Sequence, residues 1–68
     1  MTPNGTAIRA IRTASGIGLR VLALRAGRHR SFLSRVERGL AGASDDTLRA
    51  VADALGVEVG AITREDSP

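Results

Sequence analysis

The sequence predicts a small all-α domain, and three observations support this fold class. The chain has 68 residues, which is enough for one domain. No stretch shows the clean alternation with β-branched residues that marks a half-buried strand. Glycines divide the chain into apolar-periodic pieces of about the length of a short helix, at Gly16, Gly18, Gly27, Gly39, Gly42 and Gly56. We therefore expect a compact fold of five short helices.

The first two helices are predicted from their caps and their apolar spacing. Thr6 can cap a first helix that carries Ile8 and Ile11 on one face. The second piece, LRVLALRA, spans residues 19–26 and ends at Gly27. Its apolar face would be formed by Leu19, Leu22, Ala23 and Ala26.

The remaining helices follow the same kind of pattern. A third begins near His29, runs to Arg38 and stops at Gly39. A fourth begins in the segment SDDT, where Ser44 can cap and two aspartates lie at the positive end of the helix dipole. Its apolar positions have helical spacing and are followed by a glycine; they are Leu48, Val51, Ala52 and Leu55. A short fifth piece would close the core with Val57, Val59 and Ile62.

Charge is distributed unevenly along the chain. Residues 1–40 carry eight arginines and one acid, whereas residues 41–68 carry two arginines and six acids, for a formal net charge of +3. The basic half indicates a polyanionic partner, and the acidic half argues against a protein that merely coats nucleic acid or lipid. All ten basic residues are arginine, which favours bidentate contacts to phosphate or guanine. Codon usage in a GC-rich genome would produce the same choice.

The composition excludes several classes of function. Without cysteine there is no disulfide framework and no thiolate metal site, and a single histidine cannot build a metal centre alone. No nucleophile is paired with a base, so we expect neither an enzyme nor a cofactor. The N-terminus lacks the pattern of a signal peptide, and no apolar run approaches the length of a membrane span. We therefore expect a cytoplasmic protein without a membrane partner.

The connection between the second and third pieces predicts a particular motif. Only Ala26, Gly27 and Arg28 are available to turn the chain. A turn of about three residues that contains glycine sets two helices at roughly 90–120°, which is the helix-turn-helix arrangement. The third helix would then be the one that enters a DNA groove.

The third helix has two chemically different faces. At about 100° per residue, one arc collects the polar side chains Arg30, Ser31, Ser34, Arg35 and Arg38. The opposite arc collects Phe32, Leu33, Val36 and Leu40. A helix fits the major groove, where arginine can donate two hydrogen bonds to guanine and serine can contact several base edges. An ordinary solvated face is the alternative for this helix alone, but the preceding turn and the basic N-terminal half favour DNA.

Glu37 lies between these two faces and is the only acid in the first 44 residues. An unpaired carboxylate near the core costs free energy, so we expect a cationic partner. Arg12, which follows Ile11 near the end of the first helix, is the best candidate. The pair would pin the third helix to the first, whereas a solvent-exposed Glu37 would need no partner.

Together, these segments resemble the helix-turn-helix domain of phage Cro and repressor proteins and of the wider xenobiotic-response-element family of bacterial regulators. The likeness covers residues 6–63, with an N-terminal arm over 1–5 and a C-terminal tail over 64–68. It depends on the order and spacing of LALRAG (22–27), LSRVERG (33–39) and TLRAVADALGV (47–57). It implies a lambda-repressor-like fold of five helices, with the helix-turn-helix at the second and third.

The resemblance also implies a function. A transcriptional regulator of this kind binds double-stranded DNA as a homodimer on an inverted repeat, most simply as a repressor, although activation fits the residues equally. Base contacts would come from Arg30, Ser31 and Arg35. Phosphate contacts would come from the starts of the second and third helices, the polar face and the following loop, at Gly18, Leu19, Arg20, His29, Ser34, Arg38, Gly42 and Ser44. The family's arginine–glutamate pair between the first and third helices falls on Arg12 and Glu37, and no cofactor or metal is implied.

The sequence departs from the family pattern around the motif. Gly18 and Leu19 stand where Ser or Thr followed by Gln is usual, so Arg20 is the expected substitute for a missing phosphate contact. Arg28 replaces a small apolar residue of the turn, which weakens the packing there. His29 replaces Ser or Thr at the helix start. Its imidazole would contact phosphate better when protonated, or would serve only as a turn residue.

A protein partner is the alternative to DNA. Val21 and Leu24 lie off the packed face of the second helix, and Leu40 follows the third. Isolated exposed apolar residues need no function, but a cluster in space would form a partner surface. The alternative function is therefore a protein-interaction module, such as an antitoxin or adaptor, on the same fold. The cationic face of the third helix argues against it.

Overall fold

Four α-helices form the domain in the computed structural model, which describes residues 1–65. In chain order the elements are β1 (Thr2–Pro3), α1 (Gly5–Ala14), α2 (Leu19–Ala26), α3 (Arg30–Glu37), α4 (Asp45–Leu55), a 3-10 helix (Val59–Ile62) and β2 (Thr63–Arg64). Within residues 1–65, no helix is long and apolar enough to cross a membrane. Of the predicted C-terminal tail, residues 66–68 lie outside the described range.

The all-α class is confirmed, but the expected number of α-helices is wrong by one. The fifth piece is a 3-10 helix of four residues, in which the amide of Ala61 donates to the carbonyl of Glu58 at 2.9 Å. The segment between Glu58 and Thr63 has room for little more than one turn, and 3-10 geometry is common in such short pieces. Ile62 is fully buried, so this segment still closes the core as predicted.

The first residues of the chain pair with the last described ones. β1 and β2 are antiparallel, with Thr2 opposite Arg64 and Pro3 opposite Thr63. A strand of two residues is too short to show a periodic pattern, so these strands could not be predicted from the sequence. The segment predicted as an N-terminal arm is thereby held against the end of the domain.

α1 begins earlier than expected, because Asn4 rather than Thr6 caps it. The Asn4 Oδ1 atom accepts a hydrogen bond from the amide of Ala7 at 3.1 Å. The amide of Asn4 donates to the carbonyl of Ile62 at 2.9 Å, whereas Thr6 lies exposed in the first turn. Asparagine and threonine both cap helices well. The contact with the 3-10 helix therefore decides which of them does so here.

The other α-helices begin and end where their caps predict. α2 covers the segment LRVLALRA, and Gly27 ends it with a left-handed backbone at φ 66°, a conformation that costs glycine little. α3 lies between His29 and Gly39, whose φ is 75°. α4 follows Ser44, whose Oγ atom accepts from the amide of Thr47 at 3.2 Å. The two left-handed glycines therefore fix the turns on either side of α3.

The core lies where α2 packs against α4 and α3. Buried side chains come from every α-helix and from the 3-10 helix, and the larger ones are Ile8, Leu22, Leu33, Val36, Leu48, Val51, Leu55 and Ile62. Phe32 of α3 is half-buried against them. Leu40 is 67% exposed, because the left-handed Gly39 takes the chain out of the helical arc. The predicted apolar arc of α3 is therefore correct except at Leu40.

Candidate nucleic-acid interface

α3 presents an exposed polar face opposite the side that it buries. The buried side consists of Leu33 and Val36. The exposed residues of the other side are Arg30, Ser31 and Arg35, with Arg38 at the helix end. α3 has eight residues, so its length is about 12 Å. The three predicted base-contacting residues therefore lie on a surface that a second macromolecule can reach.

Arg38 and Ser34 differ from the other residues of this face. The Nε atom of Arg38 donates to the carbonyl of Ser34 at 3.3 Å, so the guanidinium folds back on the last turn. A cation in this position also complements the negative end of the helix dipole. Ser34 is half-buried. The cationic face thus extends to the end of α3, but its last arginine already has a partner within the helix.

The two helices of the motif start without a side-chain cap. Gly18 precedes α2 and His29 precedes α3, and neither position gives its helix a side-chain hydrogen bond. α1 and α4, by contrast, are capped by Asn4 and Ser44. The first amides of an α-helix need acceptors, and anions meet this need well. The amides that begin with Leu19 in α2, and those after His29, therefore suit phosphate oxygens.

A groove between α2 and the start of α3 collects three arginines and the one histidine. It is lined by Arg20, Ala23, Leu24, Arg28, His29 and Arg30. None of these residues is acidic, so the positive potentials of the groove reinforce one another. The groove brings Arg20 and His29 together and connects them to Arg30 on the polar face of α3. We call this surface the basic groove.

Ser44, at the end of the loop before α4, makes its side-chain hydrogen bonds within the protein. The Oγ atom of Ser44 accepts from the amide of Thr47 at 3.2 Å and donates to Thr47 Oγ1 at 3.1 Å. The hydroxyl therefore serves as a cap. Gly42 is exposed in the same loop. A phosphate at this position would be contacted through backbone amides rather than through the Ser44 hydroxyl.

Arg12 and Glu37 form a bidentate ion pair between α1 and α3. The Nε atom of Arg12 donates to Glu37 Oε2 at 2.7 Å, and Nη2 donates to Oε1 at 3.0 Å. The two side chains are 15% and 6% exposed, respectively. Arg12 Nη1 also donates to the carbonyl of Ile17 at 3.1 Å. The hydrogen bonds to Glu37 raise the pKa of Arg12 against the opposing effect of burial. The pair thus fixes the end of α3 to α1.

Gly5, for which the sequence pattern predicts no role, brings the start of α1 against the end of α3. A Cβ atom at Gly5 would overlap the carbonyl oxygen of Val36 and lie 2.5 Å from the carbonyl oxygen of Glu37. Only a residue without a side chain permits this approach. α1 therefore meets Glu37 in two places: Arg12 pairs with its side chain, and Gly5 lies close against its backbone.

Arg28 also has a role that the sequence did not indicate. Its Nε atom donates to Thr47 Oγ1 at 3.0 Å, and Nη1 donates to the carbonyls of Ala26 at 3.1 Å and Gly27 at 3.2 Å. The side chain is half-buried. Hydrogen bonds thus connect the turn to α4 at the position where the resemblance implies a small apolar residue.

The three exposed apolar side chains that the sequence indicates as a possible partner surface, Val21, Leu24 and Leu40, do not lie together. Val21 is 41% exposed, Leu24 is 75% exposed and Leu40 is 67% exposed. Val21 and Leu24 are one turn apart on α2 and are therefore neighbours. Leu24 lines the basic groove, whereas Leu40 lies in a separate pocket beside Pro3. Of these three residues, only Val21 and Leu24 of α2 could therefore share one partner surface.

Comparisons with known proteins agree with this architecture. The sequence profile of a helix-turn-helix domain matches residues 5–64. The restriction-modification controller protein C.AhdI from Aeromonas hydrophila is 35% identical, with a TM-score of 0.82 over 84% of this chain and 86% of that chain. The clp gene regulator ClgR from C. glutamicum is 38% identical, with a TM-score of 0.78 over 82% of this chain and 73% of that chain. No curated protein sequence matches the chain.

A third similar structure contains a nucleic acid. It is the master regulator for biofilm formation SinR in complex with DNA, which is 37% identical, with a TM-score of 0.78 over 82% of this chain and 90% of that chain. SinR is also found in a complex with the SinI protein. The profile match spans nearly the whole chain, and the structural matches include its helix-turn-helix. The chain therefore belongs to the helix-turn-helix domain family, within the Cro/C1-type regulators that its sequence resembles.

Proposed function

We propose that this chain is a sequence-specific double-stranded DNA-binding transcriptional regulator that reads the major groove with α3. One observation carries the proposal: the exposed cationic face of α3 lies beside two helix starts that lack side-chain caps. Exposed arginines can read guanine, and helix amides can hold the flanking phosphates in register. The likeness to SinR, whose structure includes DNA, supports this assignment.

Within this proposal the residues divide into two groups. The base edges are contacted from the exposed face of α3 by Arg30, Ser31 and Arg35. The phosphates are contacted from the helix starts, the basic groove and the end of α3 by Gly18, Leu19, Arg20, His29, Ser34, Arg38, Gly42 and Ser44. The ion pair between Arg12 and Glu37 keeps α3 in place while α3 contacts the DNA.

We further propose that two copies bind an inverted repeat. Two α3 helices would enter successive major grooves about 34 Å apart. The copies would meet around the 3-10 helix, where half-buried Val57 and Val59 line one groove with Arg49, Asp53 and Glu58. Charges of both signs on one surface allow it to pair with its own copy. Such a dimer, bound over a promoter, would block transcription, so repression is the simplest outcome.

Alanine variants at α3 separate the two kinds of contact. The preferred duplex is the one that this protein enriches from a pool of random sequences. We expect Arg30→Ala and Arg35→Ala each to reduce discrimination between the preferred duplex and random DNA by about 1–3 kcal/mol, because each loses a bidentate contact to a base. Arg38→Ala should weaken binding to both duplexes equally and reduce the salt slope by about one. Mobility shifts at two salt concentrations measure these quantities.

Arg9→Ala is the matched control for this series, because it removes an exposed arginine from α1 rather than from α3. It should leave discrimination unchanged. Equal losses on preferred and random DNA for Arg30→Ala, Arg35→Ala and Arg38→Ala would show that the assigned reading face is wrong.

A protein-interaction module on the same fold, such as an antitoxin or adaptor, is the second candidate function. The observation in its favour is Leu24, which is 75% exposed in the middle of α2. The relative SinR also has a protein partner, SinI. A partner on α2 would not require the exposed arginines of α3, which favour DNA. Failure of the wild-type protein to bind any duplex at low salt would favour this second candidate instead.

A further inference from the structure

Arg28 connects the turn of the motif to the start of α4. Its guanidinium donates to Thr47 Oγ1 at 3.0 Å and to the carbonyls of Ala26 and Gly27 at 3.1 and 3.2 Å. Arg28 and Thr47 are 19 positions apart, and α3 lies entirely between them. One side chain thus joins the two ends of the chain segment that contains α3 and its polar face.

Thr47 is a suitable acceptor because it is buried. It is 7% exposed, and among residues 1–65 it is the one polar residue that is buried. Its Oγ1 atom also accepts a hydrogen bond from the Ser44 hydroxyl at 3.1 Å, and its backbone amide donates to Ser44 Oγ at 3.2 Å. A buried hydroxyl needs partners, and a charged donor is a strong one. The bonds therefore run without a break from the turn, through Arg28 and Thr47, to the cap of α4.

These hydrogen bonds connect two segments to which the proposed function assigns phosphate contacts. Arg28 directly precedes His29, the first residue before α3, and Ser44 ends the loop that contains Gly42. We propose that Arg28 is a positioning residue for DNA binding: through Thr47 it holds the start of α3 and the loop before α4 in one geometry, so that both meet phosphates together. This inference rests on the proposed function.

Direct contact between Arg28 and a phosphate is the competing role. A bidentate grip on phosphate uses two nitrogens of the guanidinium. In this structure Nε and Nη1 already donate within the protein. Such a grip would therefore compete with the bonds that hold the turn, which favours the positioning role.

Two single variants and their combination test the link on the preferred duplex. Thr47→Val removes the acceptor without changing the charge, and Arg28→Lys keeps the charge but lacks the guanidinium fork. We expect each to weaken DNA binding by about tenfold, with an unchanged salt slope. The double variant should bind no more weakly than either single variant, because both changes break the same link.

Several results would overturn the positioning role. It would be overturned if either single variant bound DNA with wild-type affinity. It would also be overturned if the losses of affinity in the two single variants multiplied in the double variant. Arg28→Ala supplies a separate criterion. If Arg28 only positions other groups, the dependence of DNA affinity on salt concentration in this variant keeps the wild-type slope. A slope reduced by about 0.9 would instead assign Arg28 to a phosphate.

Amide hydrogen exchange on the free protein gives a readout that needs no DNA. We expect faster exchange in the first turn of α3 and in the loop of residues 39–44 for Arg28→Lys and Thr47→Val, with α1 unchanged. Wild-type exchange rates in these segments would contradict the link between the turn and α4. If exchange rises as expected but the wild-type protein binds no duplex at low salt, the proposed function fails and the link itself stands.

Discussion

Replacing Arg12 with alanine will lower the free energy of unfolding by about 3 kcal/mol. The change removes two hydrogen bonds to Glu37 and one to the carbonyl of Ile17. Because the Glu37 side chain is 6% exposed, its carboxylate would stay buried without a partner, which costs more than the lost bonds. A domain of this size unfolds with roughly 3–10 kcal/mol in total. The melting temperature should therefore fall by roughly 12–24 °C.

Two matched variants test the cause of that loss. Arg9→Ala removes an exposed arginine from the same helix, and it should change the free energy of unfolding by less than about 0.5 kcal/mol. Replacing Arg12 with methionine and Glu37 with leucine together removes both charges, and it should recover most of the stability. Thermal unfolding followed by circular dichroism measures all three proteins. A melting temperature for Arg12→Ala equal to that of the wild type would contradict the importance of the pair.

The Arg12 proton adds no pH dependence near neutrality. Hydrogen bonding to Glu37 raises the pKa of Arg12, so the folded protein holds this proton more tightly than the unfolded chain does. The resulting stabilisation is complete below the ordinary arginine pKa and is lost only as the pH rises through the folded value. The contribution of this proton should therefore be the same at about pH 6 and about pH 9.

Gly5→Ala will also destabilise the domain, by about 1–3 kcal/mol, although alanine is normally the better helix former. The added methyl group would overlap the carbonyl oxygen of Val36 and lie 2.5 Å from that of Glu37. Both oxygens belong to the backbone, so the overlap is relieved only by moving α1 away from α3. Urea unfolding should show a lower midpoint with an unchanged dependence on denaturant.

Gly60→Ala is the matched control for Gly5→Ala. A Cβ atom at Gly60 would meet no atom within 4 Å, so this change should be neutral or should add up to about 1 kcal/mol of stability. A wild-type midpoint for Gly5→Ala would show that α1 does not dock on α3 as described.

The boundaries of α2, α3 and α4 could be predicted because local backbone chemistry decides where a helix ends. Gly27 and Gly39 both adopt the left-handed backbone that terminates a helix, and Ser44 caps the next one. The same reasoning missed the start of α1, where Asn4 and Thr6 are chemically similar caps. There the choice depends on a hydrogen bond from Asn4 to Ile62, which lies near the other end of the chain.

Contacts across the fold were harder to predict than helices. Arg12 and Glu37 could be paired because a lone acid in a basic segment needs a partner, and the structure brings them to 2.7 Å. Gly5 and Arg28 could not be interpreted in this way. Their roles depend on atoms of α3 and α4 that periodicity does not locate, since periodicity gives the faces of a helix and not what each face meets.

Selection of bound sequences from a pool of random duplexes tests DNA reading by α3 most directly. We expect one inverted repeat to be enriched, with half-sites centred about 10 base pairs apart and guanines at the positions that arginines contact. Its affinity should fall steeply between about 50 and 200 mM salt. A pool that remains random after repeated rounds, with no duplex retained even at low salt, would contradict sequence-specific DNA binding by this domain.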